Sequence, residues 1–276
     1  MILHRRIILE RWMAWICPWI VAVGLCLSST PSFANYLKIA GTGEGLEIVQ
    51  ALGAVFTADN PNMPAIILPS TGSDGGVAAV QQDNEVLGRV ARPLLITEQA
   101  HGLRYTPSFT LASAIYVHPS VTVGSLSTEE LADVFSGRIT NWRELGGPDL
   151  RIKVVRRQDD ESTLIVLRAT MSGWHDLKFT DRSKTAYTAQ ESLGWVSEIE
   201  GAIGLGTYST VIEERVHALK INGRHPAEPS YPSQITVGFV HKGNVMTDEA
   251  RAFLMFLASS KASSLVERMG AIPVSE

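Results

Sequence analysis

Cysteine is almost missing from this chain. Its 276 residues include two, Cys17 and Cys26, and both fall within the first 34. From residue 35 onward there is none, which excludes a disulfide framework, a thiol nucleophile and a cysteine metal site there. A unit of this size buries most of its apolar surface without such staples. Charge of either sign is also modest: 24 basic against 28 acidic residues give −4. The first 34 residues hold Arg5, Arg6, Arg11 and Glu10, a net +2, which leaves −6 for the remainder. Nothing is basic enough for a nucleic-acid surface. No internal repeat or low-complexity segment stands out. There is no Gly-x-Ser-x-Gly elbow and no Walker lysine, which weighs against a serine hydrolase and against a P-loop enzyme. His101, His118, His175, His217, His225 and His241 show no metal-ligand spacing and are read as structural, so neither a metal nor another cofactor is expected.

The one long apolar run, Trp12 to Leu27, lies behind the basic start at Arg5, Arg6 and Arg11. Ser-Ser-Thr-Pro-Ser-Phe-Ala34 follows as a small-residue cleavage site, so residues 1–34 read as an export signal removed near Ala34. The run is shorter than the ~20 residues a span prefers, and Pro18 interrupts it, which favours cleavage over a retained anchor. Leu25 stands where lipidation of Cys26 would want a small residue; Arg5-Arg6 is also the sign of twin-arginine export.

Beyond the signal, strand and helix patterns alternate. Tyr36–Ala40, Ala65–Leu68, Val86–Ala91, Phe109–His118, Ile152–Val155, Val216–Ile221 and Gln234–His241 read as strands. Leu46–Ala58 has apolar residues at Leu46, Val49, Leu52, Ala54, Val55 and Phe56, close to helical spacing. Helices are also expected over Val77–Gln82, over Leu164–Met171, over Thr188–Ile199 and after the capping box Ser127-Thr-Glu-Glu. Two more helices, Thr247–Ser259 and Ala262–Met269, close the chain, and Pro226–Pro232 reads as a linker. The alternation predicts an α/β fold with a mostly parallel sheet. The middle of the chain reads as a second α/β unit set between two pieces of the first: one lobe from 35–112 plus 232–276, the other from 113–231, with hinges near Ser113 and Tyr231 and a cleft between.

Three stretches share one layout, strand then polar loop then helix start. They are Ile39-Ala-Gly-Thr-Gly-Glu-Gly-Leu46, Pro69-Ser-Thr-Gly-Ser-Asp-Gly-Gly-Val77 and Val154-Val-Arg-Arg-Gln-Asp-Asp-Glu-Ser-Thr163. Each aims free backbone N–H groups at an anion. Arg157 adds a charged fork suited to oxyanions. In open α/β sheets such loops lie outside the carboxyl ends of strands, where ligands sit. Gly41-Thr-Gly-Glu-Gly45 has its third glycine misplaced for a dinucleotide fingerprint. The hydroxyls of Thr42, Ser73 and Thr163 serve helix capping as readily as a ligand. Arg157 would otherwise form an ion pair, while Arg156 is expected to face outward by strand alternation. Arg92, before Pro93, reads as a turn brace, and Trp142 and Trp195 as packing residues.

Gly-Ser-Asp-Gly-Gly76, Gly-Arg-Val-Ala-Arg-Pro-Leu94, Phe-Ser-Gly-Arg-Ile-Thr-Asn-Trp142, Val-Val-Arg-Arg-Gln-Asp-Asp-Glu-Ser-Thr163 and Gly-Ala-Ile-Gly-Leu-Gly206 occur in that order. Together they resemble the PstS-like phosphate-binding proteins of ABC importers, within the periplasmic-binding-protein superfamily. The resemblance spans nearly all of the chain after the signal. It implies a two-lobed type II fold and a non-enzymatic receptor that closes on an oxyanion, most directly phosphate, and delivers it to an ABC permease. It implies a monomer in the periplasm or otherwise outside the cytoplasm. The family's binding Ser falls on Ser73, its motif-opening Arg on Arg157 and its closing Thr on Thr163. The Ser and Gly of its Ser-Gly-Thr fall on Glu161 and Ser162. An acidic residue that accepts a ligand proton falls on Ala91, and a hydroxyl contact after the first strand falls on Gly45. The ligand-binding set is therefore Thr42, Gly43, Gly45, Ser73, Asp74, Gly75, Arg157, Glu161, Ser162 and Thr163. Glu161 is expected to supply the acceptor lost at Ala91, admitting hydrogen phosphate and rejecting sulfate. A carboxylate ~4 Å from a bound anion otherwise costs about 4 kcal/mol at an effective dielectric of 20. The alternative is a sensor or partner domain of the same fold that has lost high-affinity binding, and a secreted hydrolase ranks third.

Overall fold

The computed structural model describes residues 36–243 and 245–274. The expected export signal lies outside the described residues. The chain begins with β1 (Leu37–Gly41), α1 (Leu46–Asp59), β2 (Ala65–Ser70), α2 (Gly72–Gln81), β3 (Leu87–Val90) and α3 (Ile96–Ala100). The long strand β4 (Leu103–Val117) leads to β5 (Ser125–Leu126), α4 (Thr128–Ser136), β6 (Lys153–Arg157), α5 (Ser162–Thr170), β7 (Lys184–Ala186), α6 (Ala189–Glu198) and β8 (Ala202–Thr207). The short β9 (His217–Ala218) and β10 (Lys220–Ile221) precede β11 (Gln234–Lys242), α7 (Asp248–Leu257), α8 (Ser260–Arg268) and β12 (Ile272–Pro273).

The strands run β2-β1-β3-β11-β4-β8-β6-β7, with β9 and β12 also on β4. The sheet is mixed, not mostly parallel as the alternation suggested. β1, β2 and β3 pair in parallel, as do β6, β7 and β8, but β11 enters antiparallel between β3 and β4. The cause is β4. Up to Ala112 it pairs with β11, and from Ser113 it pairs with β8, so one strand serves two half-sheets. Either side of that point the apolar side chains gather into separate cores. One draws on residues between Ala112 and Tyr231, including Trp142, Trp174 and Phe135. The other draws on residues within Leu37–Leu111 and Ile235–Ala271, beside a smaller cluster of Val77, Val80, Val90, Leu94, Leu103 and Val240. The fold is thus a two-lobed α/β architecture.

Local chemistry explains most boundaries. Ser127 accepts from the Glu130 N–H while the Glu130 carboxylate accepts from the Ser127 N–H, so both ends of the capping box are closed. Helix α1 buries Leu46, Val49, Leu52 and Phe56, but Ala54 faces solvent and Ile48 takes a core position. Trp142 is fully buried and donates its indole N–H to the Gly201 carbonyl at 2.9 Å; Trp195 packs at the edge of the same core. The expected strand at 216–221 is broken into β9 and β10, which pair with β4 and β5 respectively.

Two loops proved shorter than expected, and both concern the cleft. Helix α2 starts at Gly72, so Ser73, Asp74, Gly75 and Gly76 are helical. Glycine there permits close packing: a Cβ on Gly76 would lie 2.6 Å from the Arg89 carbonyl oxygen. Helix α5 starts at Ser162 because Glu161 caps it, its carboxylate accepting from the Thr163 N–H at 3.0 Å.

Candidate functional site

The carboxyl ends of β1, β2 and β6 and the N-termini of α1, α2 and α5 meet at the lobe boundary. Arg89, fully buried on β3, ties two of these strand ends together. Its guanidinium donates to the carbonyls of Thr42 at 2.5 Å, Ile39 at 2.6 Å and Leu68 at 2.7 Å. Burial lowers its pKa to about 10, and the three carbonyl oxygens supply what solvent no longer does. The loop after β1 is thereby held rigidly against β2.

A cleft of about 280 Å³ opens between the lobes at this meeting point. Of the ten expected binding residues, Thr42, Gly43, Ser73, Asp74, Arg157, Glu161 and Ser162 line it. Gly45, Gly75 and Thr163 do not. The Gly45 N–H donates to the Thr207 hydroxyl at 3.1 Å and is taken. Gly75 sits over the Thr71 side chain. The Thr163 N–H is occupied by Glu161, and its hydroxyl is buried without a hydrogen-bond partner among the described residues. Residues outside the expected set also reach the cleft: Ser70, Thr71, Arg92, Asp160, Tyr187 and Thr188 among them. A larger cavity, about 570 Å³, lies in the second lobe around Ile139, Val155 and Thr180, away from these loops. The convergence of helix N-termini and a buried guanidinium marks the smaller one as the site.

Both lobes contribute to its walls and touch through polar groups. The Ser73 and Ser162 hydroxyls are 3.2 Å apart, and Ser73 also accepts from the Ala91 N–H at 3.0 Å. The Gln190 side-chain amide donates to the Gly43 carbonyl at 2.9 Å. Among the described residues the Thr71 side chain makes no cap bond to α2; the Gly72 N–H donates to the Ser70 hydroxyl at 3.4 Å, and Ser73 and Asp74 of this first turn line the cleft. Arg92 does brace the turn as expected, donating to the Pro93 carbonyl at 3.0 Å. It also pairs with Glu98 at 2.8 Å and Asp74 at 2.6 Å. Hydrogen bonding to Glu98 raises the Arg92 pKa and lowers that of Glu98, so both stay charged.

Arg157 is the centre. It is 3% exposed at the end of β6, whereas Arg156 points to the other side, pairing with Asp159 at 3.0 Å and lying over the Phe179 ring. Two carboxyl groups face Arg157: Glu161 at 3.2 Å and Glu44 at 3.5 Å. Glu44 is completely buried, and neither of its oxygens accepts a hydrogen bond among the described residues. Nε and Nη1 of Arg157 donate none either. Burial, and then the proximity of Glu44, raise the Glu161 pKa well above the ordinary 4.5 despite Arg157. The acceptor role expected of Glu161 requires the ionised form, and this environment favours the neutral one. Glu44 was absent from the expected set, although its place beside Gly43 and Gly45 was the available signal.

Comparisons with known proteins bear on this arrangement. A family model described as a PBP superfamily domain matches residues 28–261. A Bacillus subtilis (strain 168) protein named Phosphate-binding protein PstS is 28% identical over 252 residues, covering 87% of this chain and 81% of that one. A protein of the same name from Borreliella burgdorferi is 23% identical over 255 residues, covering 84% and 89%. A solved structure from Clostridium perfringens, described as a putative phosphate ABC transporter substrate-binding protein with bound phosphate, superposes with a TM-score of 0.77. It is 25% identical and covers 87% of this chain and all of that one.

Proposed function

Because the chain belongs to the PBP superfamily, we propose that it is an exported solute-binding receptor that captures phosphate in the cleft and hands it to an ABC permease. The observation that carries this reading is Arg157: a buried guanidinium with undonated N–H groups, placed where three helix N-termini converge between two lobes. Such a seat recognises a small oxyanion through charge-assisted hydrogen bonds. Phosphate is favoured by what the Bacillus and Clostridium relatives are described as binding. Among the described residues no helix is long and apolar enough to cross a membrane; the receptor is read as a monomer exported by the segment ending near Ala34. It is read as a receptor and not an enzyme.

The binding residues proposed are Thr42, Gly43, Ser73, Asp74, Arg157, Glu161 and Ser162, all on the cleft wall. The lobes are assigned as 35–112 plus 232–276 and 113–231, supported by the two cores and by the change of partner along β4 at Ser113. The test is thermal unfolding of the purified protein with phosphate, sulfate, molybdate, tungstate and phosphonates at fixed pH and ionic strength. A ligand at ~100 times its dissociation constant adds about 2.7 kcal/mol of stability. A selective rise in Tm, lost in Arg157→Ala, is expected. No rise with any of them would refute capture of an oxyanion.

A further inference from the structure

An anion entering this seat is repelled by each ionised acid around it. Around the cleft, Arg92 and Arg157 face Asp74, Asp160 and Glu161, with Glu44 buried against Arg157. Arg92 is already held by Glu98 and Asp74. That leaves one guanidinium, Arg157, for two buried carboxyl groups and the incoming anion. Both carboxyl groups reach that guanidinium, Glu161 at 3.2 Å and Glu44 at 3.5 Å.

We infer that capture of the anion is coupled to proton uptake at Glu161, which shares Arg157 with Glu44, and this makes Glu44 a determinant of affinity and of its pH dependence. Arg157 can balance the charge of one carboxylate, not of two together with a ligand. An entering oxyanion adds negative charge a few ångströms away, which raises the affinity of Glu161 for a proton. The proton comes from the surrounding buffer and lands on a carboxylate oxygen; no bond to the ligand is made or broken. Arg157 is then released from balancing the pair, its free N–H groups turn to the oxyanion, and a protonated carboxyl donates instead of repelling. The inference rests on the oxyanion-receptor reading above.

Other groups around the pair do not substitute for it. Glu47, in the first turn of α1, adds negative charge; burial chiefly raises its pKa, with Gln190 and Arg215 acting the other way. Tyr116, on β4, is fully buried and its pKa is raised, so it stays neutral. Asp74 is highly exposed and paired with Arg92, and Asp160 lies on the solvent side. The two glutamates on Arg157 are the acids the anion must approach.

The test is calorimetric titration of the purified protein with inorganic phosphate and with sulfate from pH 5 to 8, in buffers that differ in ionisation enthalpy. Phosphate titrates within this range and sulfate does not, so a proton taken up with sulfate lands on the protein. For phosphate, the ligand's own titration is common to wild type and variants and cancels in the comparison. Wild-type affinity is expected to weaken by up to about tenfold per pH unit beyond the ligand's own contribution, the slope of one linked proton. Glu161→Gln and Glu44→Gln should each flatten that slope and raise affinity at pH 8. If one variant fails to fold, the other and the wild-type proton count still decide. Equal slopes in wild type and variants, with no proton taken up beyond the ligand's, would overturn the coupling while leaving the receptor reading intact. Absence of any binding at every pH would overturn the receptor reading and this inference together.

Discussion

Arg157 and Glu161 form an i,i+4 pair across the turn from β6 into α5, at 3.2 Å and almost out of water. Removing the guanidinium leaves Glu44 and Glu161 facing each other without a cation. Arg157→Ala should therefore both abolish ligand-induced stabilisation and destabilise the free protein, by about 3–5 kcal/mol. The second effect separates a buried cation from a surface one; urea titration at pH 7 measures it. Glu161 makes a prediction of opposite sign. Its folded pKa lies well above 4.5, through burial first and Glu44 second. Below the unfolded value both states hold the proton and there is no penalty. As pH rises past it, the unfolded chain ionises first, and the folded state loses stability until its own pKa is passed. Glu161→Gln removes that loss, so its Tm should overtake wild type between pH 6 and 8 and fall behind near pH 4, where the capping carboxyl costs nothing. Parallel Tm profiles of the two proteins would show that the group is ionised in both states.

At the scale of elements, what matters is how helix starts are closed or left open. Helix α4 is closed by Ser127 and Glu130, far from the cleft, and Ser127→Ala should cost about 1 kcal/mol without affecting ligand binding. Helix α2 gets no cap bond from the Thr71 side chain, and its first turn lines the cleft. Arg89 holds the strand ends that carry these helices. Replacing it by Met strands three buried carbonyls, at about 1–3 kcal/mol each, so Arg89→Met should unfold at markedly lower denaturant. The helix patterns, the capping box and the order of strands and loops were all legible in the sequence, because periodicity and end signals are local. The start of α2 was not: Gly72, Gly75 and Gly76 read as a loop, and only the close approach of Gly76 to Arg89 shows why glycine suits a helix there.

At the scale of the whole molecule, the lobes touch at the site through Thr207 with Gly45, Gln190 with Gly43 and Ser73 with Ser162. These bonds cross the site and are made by polar groups rather than by the apolar cores. Combining Gln190→Ala with Thr207→Val removes two neutral hydrogen bonds, worth about 1 kcal/mol each. Ligand dissociation should accelerate by roughly tenfold or more, with little change in association. Stopped-flow release measures this, and an unchanged off-rate would mean that retention of the ligand does not depend on these contacts.

The sequence by itself determined the α/β class, the three strand–loop–helix units, the family resemblance and seven residues of the cleft wall. All of these depend on residue type and near-neighbour spacing. Tertiary structure decided the rest. Antiparallel β11 beside β4 turned the sheet from parallel to mixed, and that depends on which strands meet after the chain returns from the second lobe. The Gly45 N–H went to Thr207, a partner 162 residues away that no spacing rule reveals, whereas the Thr163 N–H went to Glu161, two residues earlier, as a local cap. Glu44 entered the site because burial set it against Arg157 and Glu161. A carboxyl group's charge and role follow from solvent access and nearby charges, and those exist only once the two lobes have packed together.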